Sequence, residues 1–249
     1  MGRFKMIARL FAIVALLTAS QSFAAGGAAL DHVEFDPGNK ASLQRGARNF
    51  MNYCSGCHSA KYVRFKTIGK YLELSEEQLI DNLMFNAEKT FDTINTAMPA
   101  DSAKRWFGTA PPDMSLMARA KGADYIYSFL RGFYLSADSP TGVDNRVLGG
   151  TSMPHVLWEL QGFQKALFSE HTEDGVTTHS FDGFELVIDG SMDSEDFDDF
   201  VADTVNFLAY IAEPIRSERR KLGVWVLMFL IFFWILSVML KKQIWKDVK

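Results

Sequence analysis

Five consecutive residues, Cys54-Ser55-Gly56-Cys57-His58, constrain this chain more than any other segment. They hold both cysteines of the 249-residue sequence, so a disulfide scaffold, a four-cysteine zinc site and a four-cysteine iron–sulfur cluster are excluded. Thiols at this spacing can form thioethers with the two vinyl groups of one haem, and the adjacent histidine can present its imidazole to the iron. The motif therefore predicts one covalently attached haem c, held by Cys54 and Cys57, with His58 as an iron ligand.

A dithiol oxidoreductase and a zinc site can have the same cysteine spacing, and neither agrees with the rest of the sequence. An exported dithiol oxidoreductase has a strand before the motif, whereas the apolar spacing of residues 41–53 predicts a helix. A zinc site needs two more ligands in a close pair. His171 and His179 are eight residues apart, outside the usual spacing of about three to five.

The two ends of the chain predict export and membrane anchoring. Residues 1–9 carry three basic residues and no acid, residues 10–19 are apolar, and Ser22-Phe23-Ala24 fits a small-x-small cleavage site. This order is typical of a secretory signal peptide, which is predicted over residues 1–24. Residues 222–240 run for 19 residues without a charge, about 28 Å of helix and close to the hydrocarbon thickness of a bilayer.

These segments predict an exported haem domain over residues 25–215, a transmembrane anchor over 216–243 and a cytoplasmic tail over 244–249. The expected location is the inner (cell) membrane, crossed once, with the haem domain on the periplasmic side. Residues 25–213 contain 15 Lys/Arg and 28 Asp/Glu, a net charge of −13. This charge argues against nucleic acid as a partner and favours a basic protein.

The expected fold is mainly α, a c-type cytochrome domain with long loops, a possible small β-hairpin and one C-terminal transmembrane helix. Ser75-Glu76-Glu77-Gln78 is a capping-box pattern that predicts a helix start. Further helices are predicted over 41–53, 113–120, 123–134 and from about Ser194 to Pro214, with loops over 88–112 and 135–155. The hairpin would pair residues 165–169 with Phe181–Ile188 around Asp174-Gly175.

The other side of the iron has several candidate ligands among the methionines and histidines of the exported domain. Met98 and Met153 stand out because each precedes a proline in a predicted loop, where a thioether could reach a haem face. Met153 also follows Gly149-Gly150 and is the favoured candidate. His155, two residues further on, is the rival ligand.

Several short segments, taken in their order along the chain, resemble the cytochrome c1 family, the haem subunits of quinol:cytochrome c oxidoreductase (the bc1 complex). Each segment is short, but their order is specific. In addition to the haem motif they are Leu43–Gly46, Ala110–Ser115, Ala118–Gly122, Asp124-Tyr125, Pro140–Val143, Ser152–Pro154, Val205–Leu208 and Ala212–Pro214.

The resemblance implies His58 and Met153 as the two axial ligands. It implies that Pro111 lies beside the haem on the His58 side and that Tyr125 lines the haem crevice. The sequence departs from the family pattern after Met153, since several relatives have Ala-Pro-Pro where this chain has Pro154-His155-Val156.

A haem propionate would be contacted by Arg119 or Lys121, again by resemblance. The family usually has arginine at the position of Lys121. A lysine offers a point charge instead of a bidentate fork, so the form of this contact differs here.

The implied function is one-electron transfer from the Rieske iron–sulfur subunit, beside cytochrome b, to a soluble cytochrome c. Imidazole and thioether ligation favours ferrous iron, raises the potential and leaves no open iron site. The chain would then be an electron-transfer subunit that catalyses nothing alone. Two alternatives stay open: another membrane-anchored monohaem c-type cytochrome feeding a terminal oxidase, and an open-iron haem sensor or peroxidase.

Overall fold

Helices dominate the architecture of this protein in a computed structural model that describes residues 28–173 and 176–247. The predicted signal peptide and the turn at Asp174-Gly175 lie outside these residues. The helices are α1 (Lys40–Tyr53), α2 (Phe65–Tyr71), α3 (Glu76–Leu83), α4 (Ala100–Phe107), α5 (Met117–Lys121), α6 (Ala123–Arg131), α7 (Trp158–Gln161), α8 (Ser194–Ala212) and α9 (Arg216–Ile244). The strands are β1 (Ala60–Arg64), β2 (Thr93–Ile94), β3 (Phe133–Leu135), β4 (Val143–Asn145), β5 (Gly162–Glu173) and β6 (Val176–Asp189).

The described strands form three antiparallel pairs, β1 with β2, β3 with β4 and β5 with β6. The mainly helical prediction with a small hairpin and a long C-terminal helix is therefore confirmed. The helix predicted from residue 41 is α1, which begins at Lys40, and the helix predicted from Ser194 is α8.

Helices α1 and α8 form the centre of the core, and Gly46 lets them approach closely. A Cβ atom at Gly46 would lie 2.0 Å from the carbonyl oxygen of Asp203, so only glycine fits there. Next to this contact, the Arg45 guanidinium donates to the Asp203 carboxylate at 2.9 Å. Leu43 and Phe50 of α1 are fully buried against this interface. The pairing fixes the end of α1, where the haem motif begins.

The capping box predicted from sequence is present at the start of α3. The Gln78 backbone N–H donates to Ser75 Oγ at 3.1 Å, and the Ser75 N–H donates to Gln78 Oε1 at 2.9 Å. Two otherwise unpaired donors at the helix end are thereby satisfied.

The prediction of loop throughout residues 88–112 is wrong, because this segment contains β2 and α4. The segment contains Pro99 and Gly108, and the loop prediction rests on such residues, which often interrupt helices. In the structure Pro99 is the N-cap of α4 and Gly108 is its C-cap, with a φ of 76°. Both residues therefore mark the ends of a helix. Gly108 adopts the left-handed conformation that favours glycine after a helix, and Pro99 precedes the helix, where its missing N–H costs no helical hydrogen bond.

The boundaries predicted around residues 113–155 also need correction. Helix α5 begins at Met117 and not at residue 113, because Pro112–Ser115 pairs with the segment after the haem motif. Helix α6 ends at Arg131, where β3 follows. The predicted loop over 135–155 contains β4, which pairs with β3 through Leu135 and Val143.

The hairpin of β5 and β6 is longer than the predicted one. Lys165 lies opposite Glu185 and Phe168 lies opposite Phe181, as expected for the predicted pairing, but β5 has 12 residues and β6 has 14. Register shifts after Phe163 and Leu167 interrupt the alternation of side chains. These irregularities explain why only a short alternating stretch was visible in the sequence.

Helix α9 is long and apolar enough over Glu218–Ile244 to cross a membrane. It follows α8 after a break at Glu213 and Pro214, so α8 ends at the proline as predicted. Arg219 of its first turns pairs with the Glu213 carboxylate. The long C-terminal helix thus leaves the haem-motif domain directly from the end of its core helix.

Candidate haem site

A cavity of about 510 Å³ lies at the end of α1 and has predominantly apolar walls. Its size falls within the range of about 300–1,000 Å³ that is typical of ligand and cofactor sites. Cys54, Cys57 and His58 all line it. Its other walls include Phe50, Tyr53, Phe107, Pro111, Pro112, Met114, Met117, Lys121, Tyr125, Phe129, Leu148, Gly149, Gly150, Met153, Thr204 and Leu208.

The haem motif forms a tight turn directly after α1. Cys54 is the C-cap of this helix, and the backbone N–H of His58 donates to the Cys54 carbonyl at 2.8 Å. Burial raises the pKa of the Cys54 thiol to about 12. Reactive redox thiols have lowered pKa values and favour helix N-termini. The helix-end position and the raised pKa therefore both disfavour a dithiol oxidoreductase.

The imidazole of His58 is oriented by the backbone of a second segment. Its Nδ1 atom lies 2.8 Å from the carbonyl oxygen of Pro112. A carbonyl only accepts, so the proton is on Nδ1 and the lone pair of Nε2 is left for a metal. Burial lowers the pKa of His58, which keeps the ring neutral and able to bind iron.

Asp113, next to this carbonyl, ties the two segments together. Its carboxylate accepts from Ser59 Oγ at 2.7 Å, from the Lys61 N–H at 2.9 Å and from the Ser115 N–H at 3.0 Å. Partial burial acts to raise the pKa of Asp113, but these hydrogen bonds outweigh it and lower the pKa below its ordinary value. The ionised carboxylate thus fixes the Pro112 carbonyl against the haem motif.

Three methionines line the cavity, and Met98 is not one of them. Met114 and Met117 were not singled out from the sequence, since a methionine in a core has no distinguishing local signal. The Met114 N–H donates to the Ser59 carbonyl at 2.7 Å, so Met114 belongs to the wall that holds His58. Met153 reaches the cavity on an independent segment, residues 148–156.

The rival ligand His155 does not line the cavity. Its side chain is 6% exposed, and its ring stacks on that of Phe133 with centroids 5.1 Å apart. Its Nε2 lies 3.3 Å from the Gly162 carbonyl oxygen. Burial lowers the pKa of His155 to about 4, so the ring is neutral at neutral pH.

Comparison with known proteins agrees with this geometry. The sequence profile described as the Cytochrome C1 family matches residues 32–248. This chain belongs to the cytochrome c1 family. Membership implies a haem-carrying, membrane-anchored electron carrier of the bc1 complex.

Individual relatives match most of the length of the chain. It is 43% identical over 223 residues to cytochrome c1 of Allochromatium vinosum, which covers 90% of this chain and 91% of the relative. It is 39% identical over 219 residues to the ammonia monooxygenase gamma subunit of Nitrosomonas europaea, 88% of each chain. It is 26% identical over 235 residues to the mitochondrial cytochrome c1 heme protein of Saccharomyces cerevisiae, 86% of this chain and 70% of the relative.

The remaining residues expected from cytochrome c1 proteins divide into two groups. Pro111, Lys121 and Tyr125 line the cavity, and Lys121 Nζ lies 5.4 Å from the centroid of the Tyr125 ring. Arg119 is not among the lining residues; its side chain is 65% exposed and its guanidinium lies 3.9 Å from Glu213 Oε1. Of the two cations expected at a propionate, only Lys121 is therefore brought to the cavity.

Other wall residues were not identified as site residues by sequence reasoning. Phe50 and Leu208 carried a signal, because they lie on the apolar faces of the predicted α1 and α8 and pack beside the motif. Thr204 gave no signal, since only the packing of α8 against α1 brings it to the cavity.

Proposed function

We propose that this chain binds one covalent haem c in the cavity and carries single electrons from the Rieske iron–sulfur protein to a soluble cytochrome c. The observation that carries the proposal is the convergence of five features on one apolar cavity: two cysteines, a histidine with Nε2 free, a methionine on a separate segment and a lysine at its wall. These residues fit a haem in donor type, in size of cavity and in apolar surroundings.

Each of these residues has a distinct role at the proposed haem. Cys54 and Cys57 would hold it through thioethers, while His58 Nε2 and the Met153 sulfur would be its axial ligands. When bound, haem supplies a one-electron ferrous/ferric couple. With His58 and Met153 both holding the iron, its potential would be raised and no site would be open to oxygen or other small ligands.

The surrounding side chains would tune the site. Phe50, Phe129 and Leu208 exclude water, and a low dielectric disfavours the additional positive charge of ferric iron, which raises the potential further. Pro111 would lie on the His58 side and Tyr125 in the haem crevice. Lys121 would face a propionate, with Arg119 engaged at Glu213 instead.

The proposed topology follows from the two ends of the chain. Residues 1–24 would direct export and be removed, the haem domain would lie on the periplasmic side, and the residues after 243 would stay in the cytoplasm. Cytochrome b and the Rieske protein would be the permanent partners in the membrane. Soluble cytochrome c would be a transient one.

Purification of the chain from membranes in mild detergent tests the proposal. We expect cytochrome b and a Rieske protein to be retained, and the haem to stay with this chain in a denaturing gel. Replacing both Cys54 and Cys57 with alanine should abolish that stable attachment, because no thioether can then form. Recovery with a different membrane complex, without cytochrome b, would instead favour another monohaem cytochrome, such as one serving the ammonia monooxygenase of the related sequence.

A further inference from the structure

His155 is buried in an aromatic cluster beside the loop that carries Met153. Its ring is sandwiched by Phe133, stacked at 5.1 Å with an interplanar angle of 9°, and by the edge of Phe163 at 6.1 Å. The Gly162 carbonyl accepts a hydrogen bond from Nε2–H at 3.3 Å. The other ring nitrogen, Nδ1, is buried and has no hydrogen-bond partner within the described part of the chain.

The unpaired Nδ1 atom shows that packing alone does not account for a histidine here. A phenylalanine would fill the same flat slot without bringing a buried ring nitrogen that has no partner. What only the histidine adds is the Nε2–H donor to Gly162. The reason for a histidine must therefore be found in that hydrogen bond.

Gly162 is a rigid point to which a loop can be fastened. It has a φ of 85°, and a Cβ atom there would lie 2.1 Å from the carbonyl oxygen of Ile188 on the opposite strand. The next residue but one, Gln164, donates from its side chain to the Phe133 carbonyl at 2.8 Å. The base of the hairpin is therefore fixed both to β6 and to β3.

A row of rings continues from His155 to the cavity wall. Phe133 contacts Phe129 with centroids 5.2 Å apart, and Phe129 stacks on Tyr125 at 6.3 Å. Phe129 and Tyr125 both line the cavity. His155, two residues after Met153, thereby connects the loop that carries Met153 to the aromatic side chains that line the cavity.

We propose that His155 is a positioning residue, which holds Met153 over the iron by fastening its loop to the hairpin base through the Nε2–H bond to Gly162. The inference rests on the proposed function, since it takes Met153 as the sixth ligand. Without the bond, the loop would still pack against the aromatic cluster but would hold the Met153 sulfur less firmly over the iron. Competing ligands such as carbon monoxide would then displace this sulfur more easily.

Variants of the full chain in its membrane complex separate the hydrogen bond from the packing. His155→Phe keeps a flat ring in the cluster and removes the donor. His155→Gln keeps a donor close to the position of Nε2. Trp158→Phe is the matched control, because Trp158 stacks on Phe163 at 5.6 Å and is not part of the bond. Met153→Leu shows the effect of losing the sulfur ligand entirely and is the reference for the other variants.

Carbon monoxide binding to the ferrous protein, the reduction potential and hydrogen exchange of the amides of residues 151–156 are the readouts. We expect His155→Phe to raise the affinity for carbon monoxide at least tenfold, to lower the potential and to speed exchange in this loop. His155→Gln and Trp158→Phe should stay close to the parent protein. The covalent haem content should be unchanged in all four variants.

The outcomes distinguish this inference from the function on which it rests. If Met153→Leu shifts the potential and His155→Phe does not, His155 has no positioning role and the proposed ligand stands. An effect of His155→Gln as large as that of His155→Phe also overturns the role of the hydrogen bond. A silent Met153→Leu would overturn the ligand assignment itself. Should His155→Phe fail to fold, His155→Asn, whose shorter side chain cannot place a donor at Nε2, replaces it in the comparison.

Discussion

The Nδ1 atom of His58 and the carbonyl oxygen of Pro112 lie 2.8 Å apart, and this contact joins residues that are 54 positions apart in the sequence. It decides which nitrogen of the imidazole faces the cavity. Because the acceptor is a backbone atom, its position depends on the segment that carries it and not on the identity of one side chain. The interactions of Asp113 therefore matter for the iron ligand, although Asp113 does not line the cavity.

We predict that Asp113→Asn weakens stability at neutral pH and flattens its acid dependence. Hydrogen bonds to the carboxylate lower the folded-state pKa of Asp113 below its ordinary value of 3.8, so its contribution is present above that value. The contribution is lost as pH falls through the lower, folded-state pKa. Denaturant unfolding of the haem-loaded protein between about pH 2 and 7 measures the difference.

The exposed loop residue Asp138 provides the control for this measurement. Asp138→Asn should leave the dependence of the free energy of unfolding on pH unchanged. The difference in this free energy between Asp113→Asn and the parent protein should disappear at the acid end. A difference that stays constant down to pH 2 would show that the carboxylate charge of Asp113 is not what stabilises the contact between its segment and the haem motif.

We predict that Met153→Leu leaves the haem attached, lowers its reduction potential and lets carbon monoxide bind the ferrous iron. The thioether is lost, so the preference for ferrous iron weakens and one axial position opens. Absorption spectra with and without carbon monoxide, together with a redox titration, check this. Met98→Leu is the matched control, because Met98 precedes a proline as Met153 does but does not line the cavity. The reverse pattern would make Met98 the ligand.

We predict that Gly46→Ala destabilises the haem domain by at least about 1–3 kcal/mol, the usual cost of overpacking a core. The new methyl group would lie 2.0 Å from a backbone oxygen of α8, and backbone cannot move aside as a side chain can. Chemical denaturation measures the loss. Gly56→Ala is the control, since a Cβ there meets nothing within 4 Å. Equal stability of both variants would show that α1 and α8 pack less closely.

Short-range signals in the sequence predicted elements well where one segment determines its own structure. Ser75 and Gln78 form their capping box within four residues, and the apolar face of α1 is complete within one helix. Pro99 and Gly108 show the limit of such signals. The same residues can break a helix or bound one, and eight residues between them were too few for a periodic pattern to decide.

The site was predicted at its covalent motif and less completely elsewhere. Cys54, Cys57 and His58 lie within five consecutive residues, so their chemistry is visible in the sequence. The sequence favoured Met153 over His155 as the second ligand, and the structure adds that Met153 lines the cavity whereas His155 is turned towards the hairpin base. Arg119 and Lys121 are two residues apart on α5, and the position of α8 decides which of them is brought to the cavity.

We predict that a chain ending at Arg216 is a soluble, haem-loaded protein with an unchanged spectrum. Helix α9 contributes no cavity residue, and the pair of Arg219 with Glu213 is a partly exposed one that contributes little to stability. Spectra and haem content of the truncated protein, compared with those of the full chain, check this. Failure to acquire haem would mean that the C-terminal helix assists maturation as well as anchoring.

The last prediction concerns electron transfer to the soluble acceptor. Six acidic residues lie at the start of α8: Asp193, Glu195, Asp196, Asp198, Asp199 and Asp203. Three of them are engaged within the protein. Asp198 accepts from the Arg131 guanidinium at 2.9 Å, Asp203 is paired with Arg45, and Asp193 caps the helix. Steering of a basic partner would therefore arise from residues 25–213 as a whole, with their net charge of −13, and less from this helix.

We expect electron transfer to a basic soluble cytochrome c to slow steeply as salt rises, because ions screen a field of one sign over roughly 8–10 Å at physiological strength. Under the proposed function, electron arrival from the Rieske subunit would be a step within one complex and should change much less. Stopped-flow measurement of both steps across a salt series tests this. Glu195→Gln should alter the salt slope only slightly, because one charge is removed from a large total. A flat response of the outgoing step would exclude steering, and a slope abolished by Glu195→Gln alone would locate it on α8 instead of on the body as a whole.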